Sequence, residues 1–72
     1  MSESLDAAAA TYDAIAAELD RAAAHARRTA EHFRNGEIPR AAAHAWATQG
    51  HVHEVQERLA AQSREHAQRS QP

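Results

Sequence analysis

Apolar and small residues recur along this chain at alternating steps of three and four. They fall at Leu5, Ala8, Tyr12, Ile15, Leu19, Ala22, Ala26, Thr29 and Phe33, and again at Ile38, Ala41, Ala45, Thr48, Val52, Val55, Leu59, Gln62 and His66. Such steps keep one stripe of an α-helix turned toward a partner helix. Between the two ladders stands Asn35-Gly36-Glu37-Ile38-Pro39. Asn-Gly supplies left-handed residues that end a helix, Ile38 can fold back onto the last turn, and Pro39 suits the first turn of the next helix. The pattern predicts an all-α fold in a single domain over 1–72: a long antiparallel helical hairpin with a helix over about 4–34, a turn over 35–38, a helix over about 39–69 and a frayed tail at 70–72. Ser2 or Ser4 is the expected cap of the first helix.

Gly50 interrupts the second ladder by composition but not by phase. Ala45-Trp46-x-x-x-Gly50 followed by Val55 and Leu59 resembles part of a tetratricopeptide repeat, and Gly36-x-Ile38-x-x-Ala41 returns 14 residues later as Gly50-x-Val52-x-x-Val55. That resemblance implies a second turn and further repeats to stack upon, for which 72 residues leave no room. The three-four spacing passes through Gly50 without a slip, so a continuous second helix is expected.

Lettered as heptads, Leu5, Tyr12, Leu19, Ala26 and Phe33 with Ile38, Ala45, Val52 and Leu59 occupy position a. Ala8, Ile15, Ala22 and Thr29 with Ala41, Thr48, Val55 and Gln62 occupy d. The a and d rows are the expected seam, with Leu19 against Val55, Ile15 against Leu59, and Phe33 closing the tip over Ala41 and Ile38. At the open end Tyr12 is expected to face Gln62, Ala8 to face His66 and Leu5 to face Arg69.

Composition makes this seam thin. Twenty of the residues are Ala, which favours helix but adds little apolar area when buried. There is no Cys, so neither a disulfide nor a thiolate zinc site can reinforce the fold, and association is the remaining support for a chain of this size. The e row points to where it occurs. Ala9, Ala16, Ala23 and Ala30 on the first helix and Ala42, Gln49, Gln56 and Ser63 on the second are all small or uncharged, and Trp46, His53 and Ala60 lie beside them. The expected assembly is a homodimeric four-helix bundle whose interface includes Ala9, Ala16, Ala23, Ala30, Ala42, Trp46, Gln49, His53, Gln56 and Ala60, with Trp46 as an anchor.

The opposite, g flank is polar: Thr11, Glu18, His25 and His32 against His44, His51, Arg58 and Glu65. Glu18 is expected to pair with Arg58, His32 to face His44 and His25 to face His51. The four histidines, His25, His32, His44 and His51, are candidate ligands for zinc, nickel or copper, arranged as two pairs about 10.5 Å apart along the helices. Facing imidazoles also predict a response to acid below about pH 6.

The formal charge of −2 excludes a uniformly basic nucleic-acid binder. A local patch remains, since Arg27, Arg28, Arg34 and Arg40 gather near the turn as a candidate anion or nucleic-acid site. Their placement also suits the helix dipole, with acids early and bases late in the first helix. The sequence holds no Gly-rich phosphate loop, no His-Glu metal motif and no activated nucleophile, so an enzyme is not expected and no cofactor is implied. No stretch approaches the ~20 apolar residues of a membrane span, and the acidic beginning is unlike a signal peptide. The expected protein is a cytoplasmic, non-enzymatic helical module acting as a homodimer with an unknown protein partner.

Overall fold

The computed structural model describes residues 3–69. It consists of two α-helices packed against each other as a hairpin, α1 over Glu3–Arg34 and α2 over Ile38–Arg69. The expected frayed tail at 70–72, the capping role of Ser2 and the expected contacts of the His66 and Arg69 side chains lie outside the described residues. α1 begins with Glu3 and Asp6 in its first turn and ends with His32 and Arg34 in its last, an order that complements the helix dipole.

The turn is built by backbone hydrogen bonds around one left-handed residue. Gly36 has φ +71°, its N–H donates to the Phe33 carbonyl at 3.1 Å, and the Glu37 N–H donates to the His32 carbonyl at 2.8 Å. This is the paired closure of a Schellman motif, which satisfies carbonyls that a helix end would otherwise leave open. Such a motif is usually bridged by an apolar contact between the residues corresponding to His32 and Glu37. Here the bridge is polar, with His32 Nδ1 3.1 Å from Glu37 Oε1. Glu37 also starts the second helix, since its carbonyl accepts the Ala41 N–H at 3.0 Å. Ile38 is therefore the first residue of α2 rather than the last of the turn, and it stands 64% exposed instead of folding back on α1.

α2 runs through Gly50 without a break, so the kinked alternative suggested by the repeat-like spacing does not occur. A Cβ built on Gly50 meets nothing within 4 Å. Gly50→Ala should therefore stabilise the hairpin by about 1 kcal/mol, through helix propensity alone. Thermal unfolding followed by circular dichroism checks this, and a lowered midpoint would show that the bare backbone at Gly50 is required for packing.

The helices meet along a different stripe from the one expected. The d row is at the centre, with Ile15, Ala22 and Val55 each 6% exposed and Ala41 fully buried. The row that joins it is g: Thr11, Glu18, His25 and His32 on α1 and His44, His51 and Arg58 on α2 are all partly buried. The a row lies outside, with Leu5, Tyr12, Leu19, Phe33, Ile38, Val52 and Leu59 all exposed. Leu19 and Leu59, expected in layers with Val55 and Ile15, are 48% and 41% exposed, and Phe33, expected over the tip, is 55% exposed. Rows a and g flank d at equal angles, so the three-four alternation through d can be completed on either side. The His32–Glu37 bridge at the turn brings the g rows together, and their polar side chains find partners across the seam.

Polar residues enter the seam without stranding donors. The hydroxyls of Thr29 and Thr48 donate to the carbonyls of His25 and His44, four residues earlier, at 2.8 and 2.9 Å. Among the described residues no buried side-chain nitrogen or oxygen lacks a hydrogen-bond partner.

Candidate functional site

One layer of two helices gives a slab of 56 × 22 × 12 Å, and its two broad sides differ in chemistry. The g rows of both helices come together on one side, as the contacts between His25 and His44 and between His51 and Glu18 show. The a and e rows of both helices therefore share the other side. Tyr12 and Leu59 of the a rows line one open groove there with Gln62 and Ser63.

The a and e rows of this second side carry no formal charge from Leu5 to Ser63, and the b row that borders them on α1 is charged, with Asp13, Asp20 and Arg27. The a row contributes Leu5, Tyr12, Leu19, Ala26 and Phe33 with Ile38, Ala45, Val52 and Leu59, and the e row is Ala, Gln or Ser throughout. Of the residues expected to form a dimer interface, Ala9, Ala16, Ala23, Ala42, Trp46, Gln49, His53, Gln56 and Ala60 are exposed and Ala30 is partly so. Trp46 is the most exposed of the large apolar residues at 78% and borders this side in a shallow groove with Gln49, Gly50 and His53. His53 lies 3.4 Å from Glu57. Spacing alone predicts the a row in the intrachain seam; its exposure places it on the open face.

The seam side holds a ladder of imidazoles. The His32 and His44 rings stack with centroids 5.1 Å apart, His44 and His25 lie at 5.2 Å, and His25 and His51 stack at 5.2 Å. His25 Nδ1 and His44 Nδ1 are 2.9 Å apart. Each end is closed by a carboxylate, Glu37 on His32 at 3.1 Å and Glu18 on His51 at 2.7 Å. Arg40 and Arg21 hold the far sides of those carboxylates at 3.1 and 2.7 Å. Sequence spacing predicts two separate pairs, His32 with His44 and His25 with His51; both form, and the added His25–His44 contact places His44 between His32 and His25, and His25 between His44 and His51. The expected Glu18–Arg58 pair does not form: Glu18 turns to His51 and Arg21, and Arg58 donates to Glu54 at 3.3 Å.

Electrostatics follow from these partners. The His51 hydrogen bond holds the Glu18 carboxyl below its ordinary range, against burial and with help from Arg21. Glu37 is lowered in the same way, first by His32 and then, against burial, by Arg40. His44, in mid-ladder, has its basicity reduced by desolvation first, and then by His25, His32 and Arg28.

The histidines expected as metal ligands are thus brought together, but among the described residues no group of three or more His, Asp or Glu side chains is arranged to hold a metal ion. Arg27 and Arg34, seven residues apart, share one face of α1, while Arg28 lies a further ~100° around the helix and Arg40 is engaged with Glu37. Among the described residues no helix is long and apolar enough to cross a membrane. No protein-family model matches this chain, and no curated protein or solved structure is significantly similar to it.

Proposed function

We propose that this chain is a non-enzymatic, cytoplasmic interaction module that works as a homodimer, in which two hairpins pack their uncharged a and e rows together as a four-helix bundle and present their charged outer surfaces to a further protein. The observation that carries this reading is the exposure of the a row on a slab one helix thick. A helix stripe is stable when covered by a second layer, and this hairpin leaves that layer open. Its accessible surface is 5503 Å², whereas a compact monomer of 7.9 kDa exposes about 4,400 Å². The difference, about 1,100 Å², is of the order that one partner contributes to a specific interface.

A second copy of the chain is the partner that best matches this side. The face is elongated and its a and e rows are without formal charge, so these rows turned through a twofold axis meet their copies without stranding a charge. A partner of opposite charge would gain nothing from it. Metal binding by His25, His32, His44 and His51 has less support, because among the described residues no group of three or more ligands is arranged for an ion, and polyanion binding by Arg27, Arg28, Arg34 and Arg40 has less because Arg40 is engaged with Glu37.

Trp46, the single tryptophan, reports on this assembly from the rim. Its emission should shift to the blue and its acrylamide quenching should fall at least twofold between micromolar and millimolar chain. Emission and quenching that stay constant over that range would remove Trp46 from the interface and weaken the dimer reading with it.

A further inference from the structure

The imidazole ladder is made of three hydrogen-bonded units stacked on one another: Glu37 with His32, His44 with His25, and His51 with Glu18. The units differ in how many protons they tolerate. In each outer unit a carboxylate accepts from imidazole, so an added proton on His32 or His51 meets a negative charge. The central unit has no acid. Two Nδ1 atoms at 2.9 Å share one proton between them: one ring donates as the Nδ1–H tautomer and the other accepts on a bare Nδ1. When both Nδ1 atoms carry hydrogens, two donors face each other without an acceptor.

The charges around this unit favour its opening on acidification. From α1 it is approached by His32, Arg28 and, beyond His51, by Glu18 with Arg21. From α2 and the turn it is approached by His51 and, beyond His32, by Glu37 with Arg40. Both nearby carboxylates are already engaged by His and Arg, so neither compensates a second proton at the centre. The a and e rows of the open face carry no formal charge and add nothing to this balance.

We infer that the His25–His44 pair, enclosed by His32 and His51, is a proton-operated latch that holds the two helices together when neutral and releases them when doubly protonated. The latch acts within one hairpin. Its effect on self-association, by disordering the paired a and e rows, rests on the dimer proposed above.

The direction with pH follows from the groups involved. His44 is less basic in the fold than in the unfolded chain, so the fold binds fewer protons; its contribution to stability is complete above about pH 6.5 and is lost as pH falls below that value. Glu18 and Glu37 have lowered values, so their contributions persist through this range and are lost only below about pH 4.5. A loss of stability between about pH 6.5 and 4.5 therefore comes from the centre of the ladder, where His44 is the less basic in the fold, and not from Glu18 or Glu37.

The test is thermal unfolding of the full chain from pH 7.5 to 5.0 at two concentrations, alongside the double variant His25→Gln/His44→Gln and the control His53→Gln. The expected result is a fall in midpoint for the native sequence and for His53→Gln, at both concentrations, and less than half that fall for the double variant. A flat profile for the native chain, or an undiminished fall in the double variant, overturns the latch. Concentration dependence of the midpoint reads the dimer separately, so the two ideas fail independently. Should the double variant not fold, imidazole nitrogen NMR of the native chain at pH 7.5 decides: the latch requires an Nδ1–H tautomer at His25 or His44, and two Nε2–H tautomers there exclude it.

Discussion

Leu19→Glu should convert the protein to a monomer while leaving the individual hairpin able to form. Leu19 sits on the a row, 48% exposed in the single hairpin, so a carboxylate there stays hydrated in a monomer and changes its stability by no more than about 0.5 kcal/mol. In the paired bundle the same carboxylate enters an interface without a compensating base, and it does so twice because of the twofold axis. A buried, uncompensated charge costs about 3–5 kcal/mol, and each 1.4 kcal/mol is a factor of about ten, so the dissociation constant should rise more than about 100-fold. Size-exclusion chromatography with light scattering checks this across a dilution series. A dimer that persists unchanged in the variant would place the contact elsewhere than on this side of the slab.

Ile15→Ala acts on the other layer and should be damaging whatever the oligomeric state. Ile15 is 6% exposed, and the only other residues buried to that degree are Ala22, Ala41 and Val55 among those described. The buried set holds only one other side chain larger than Ala, Val55, so little apolar mass at the seam remains when Ile15 is shortened. Removal of three buried carbons is expected to cost about 2–4 kcal/mol, and in a domain of this size that lowers the midpoint by more than about 10 °C. Circular dichroism at 222 nm follows the transition. A midpoint within a few degrees of the native chain would mean that the d row contributes little and that association carries most of the stability.

Much of this architecture was legible in the sequence. The helix ends were set by Asn35-Gly36 and Pro39, because a left-handed glycine and a first-turn proline are local requirements that need no knowledge of packing. The continuity of α2 was legible because the ladder keeps its phase across Gly50. Which row joins d in the seam was not. Leu19 and Glu18 are equally placed beside Ile15 and Ala22, and hydrophobicity alone favours Leu19 whether its partner is the other helix or another chain. The deciding contact is His32 with Glu37, a pair across a turn, and its signal was present as a polar residue at each of two positions where a Schellman motif usually carries apolar ones. Facing histidines were anticipated from the g rows, but the added His25–His44 contact that turns two pairs into one ladder leaves no mark on spacing. The uncharged e row was read as an interface flank; with the a row beside it, that flank becomes a whole face.

Two layers of the proposed bundle thus draw on different chemistry. Polar, titratable partners and a few small apolar residues close each hairpin, and uncharged apolar rows join the hairpins. Sedimentation equilibrium of the tag-free chain at pH 7.5, at several concentrations, tests the pairing most directly. The expected result is a concentration-dependent approach to twice the 7.9 kDa chain mass, without added metal; a well-folded species that keeps the monomer mass at every concentration would contradict the bundle.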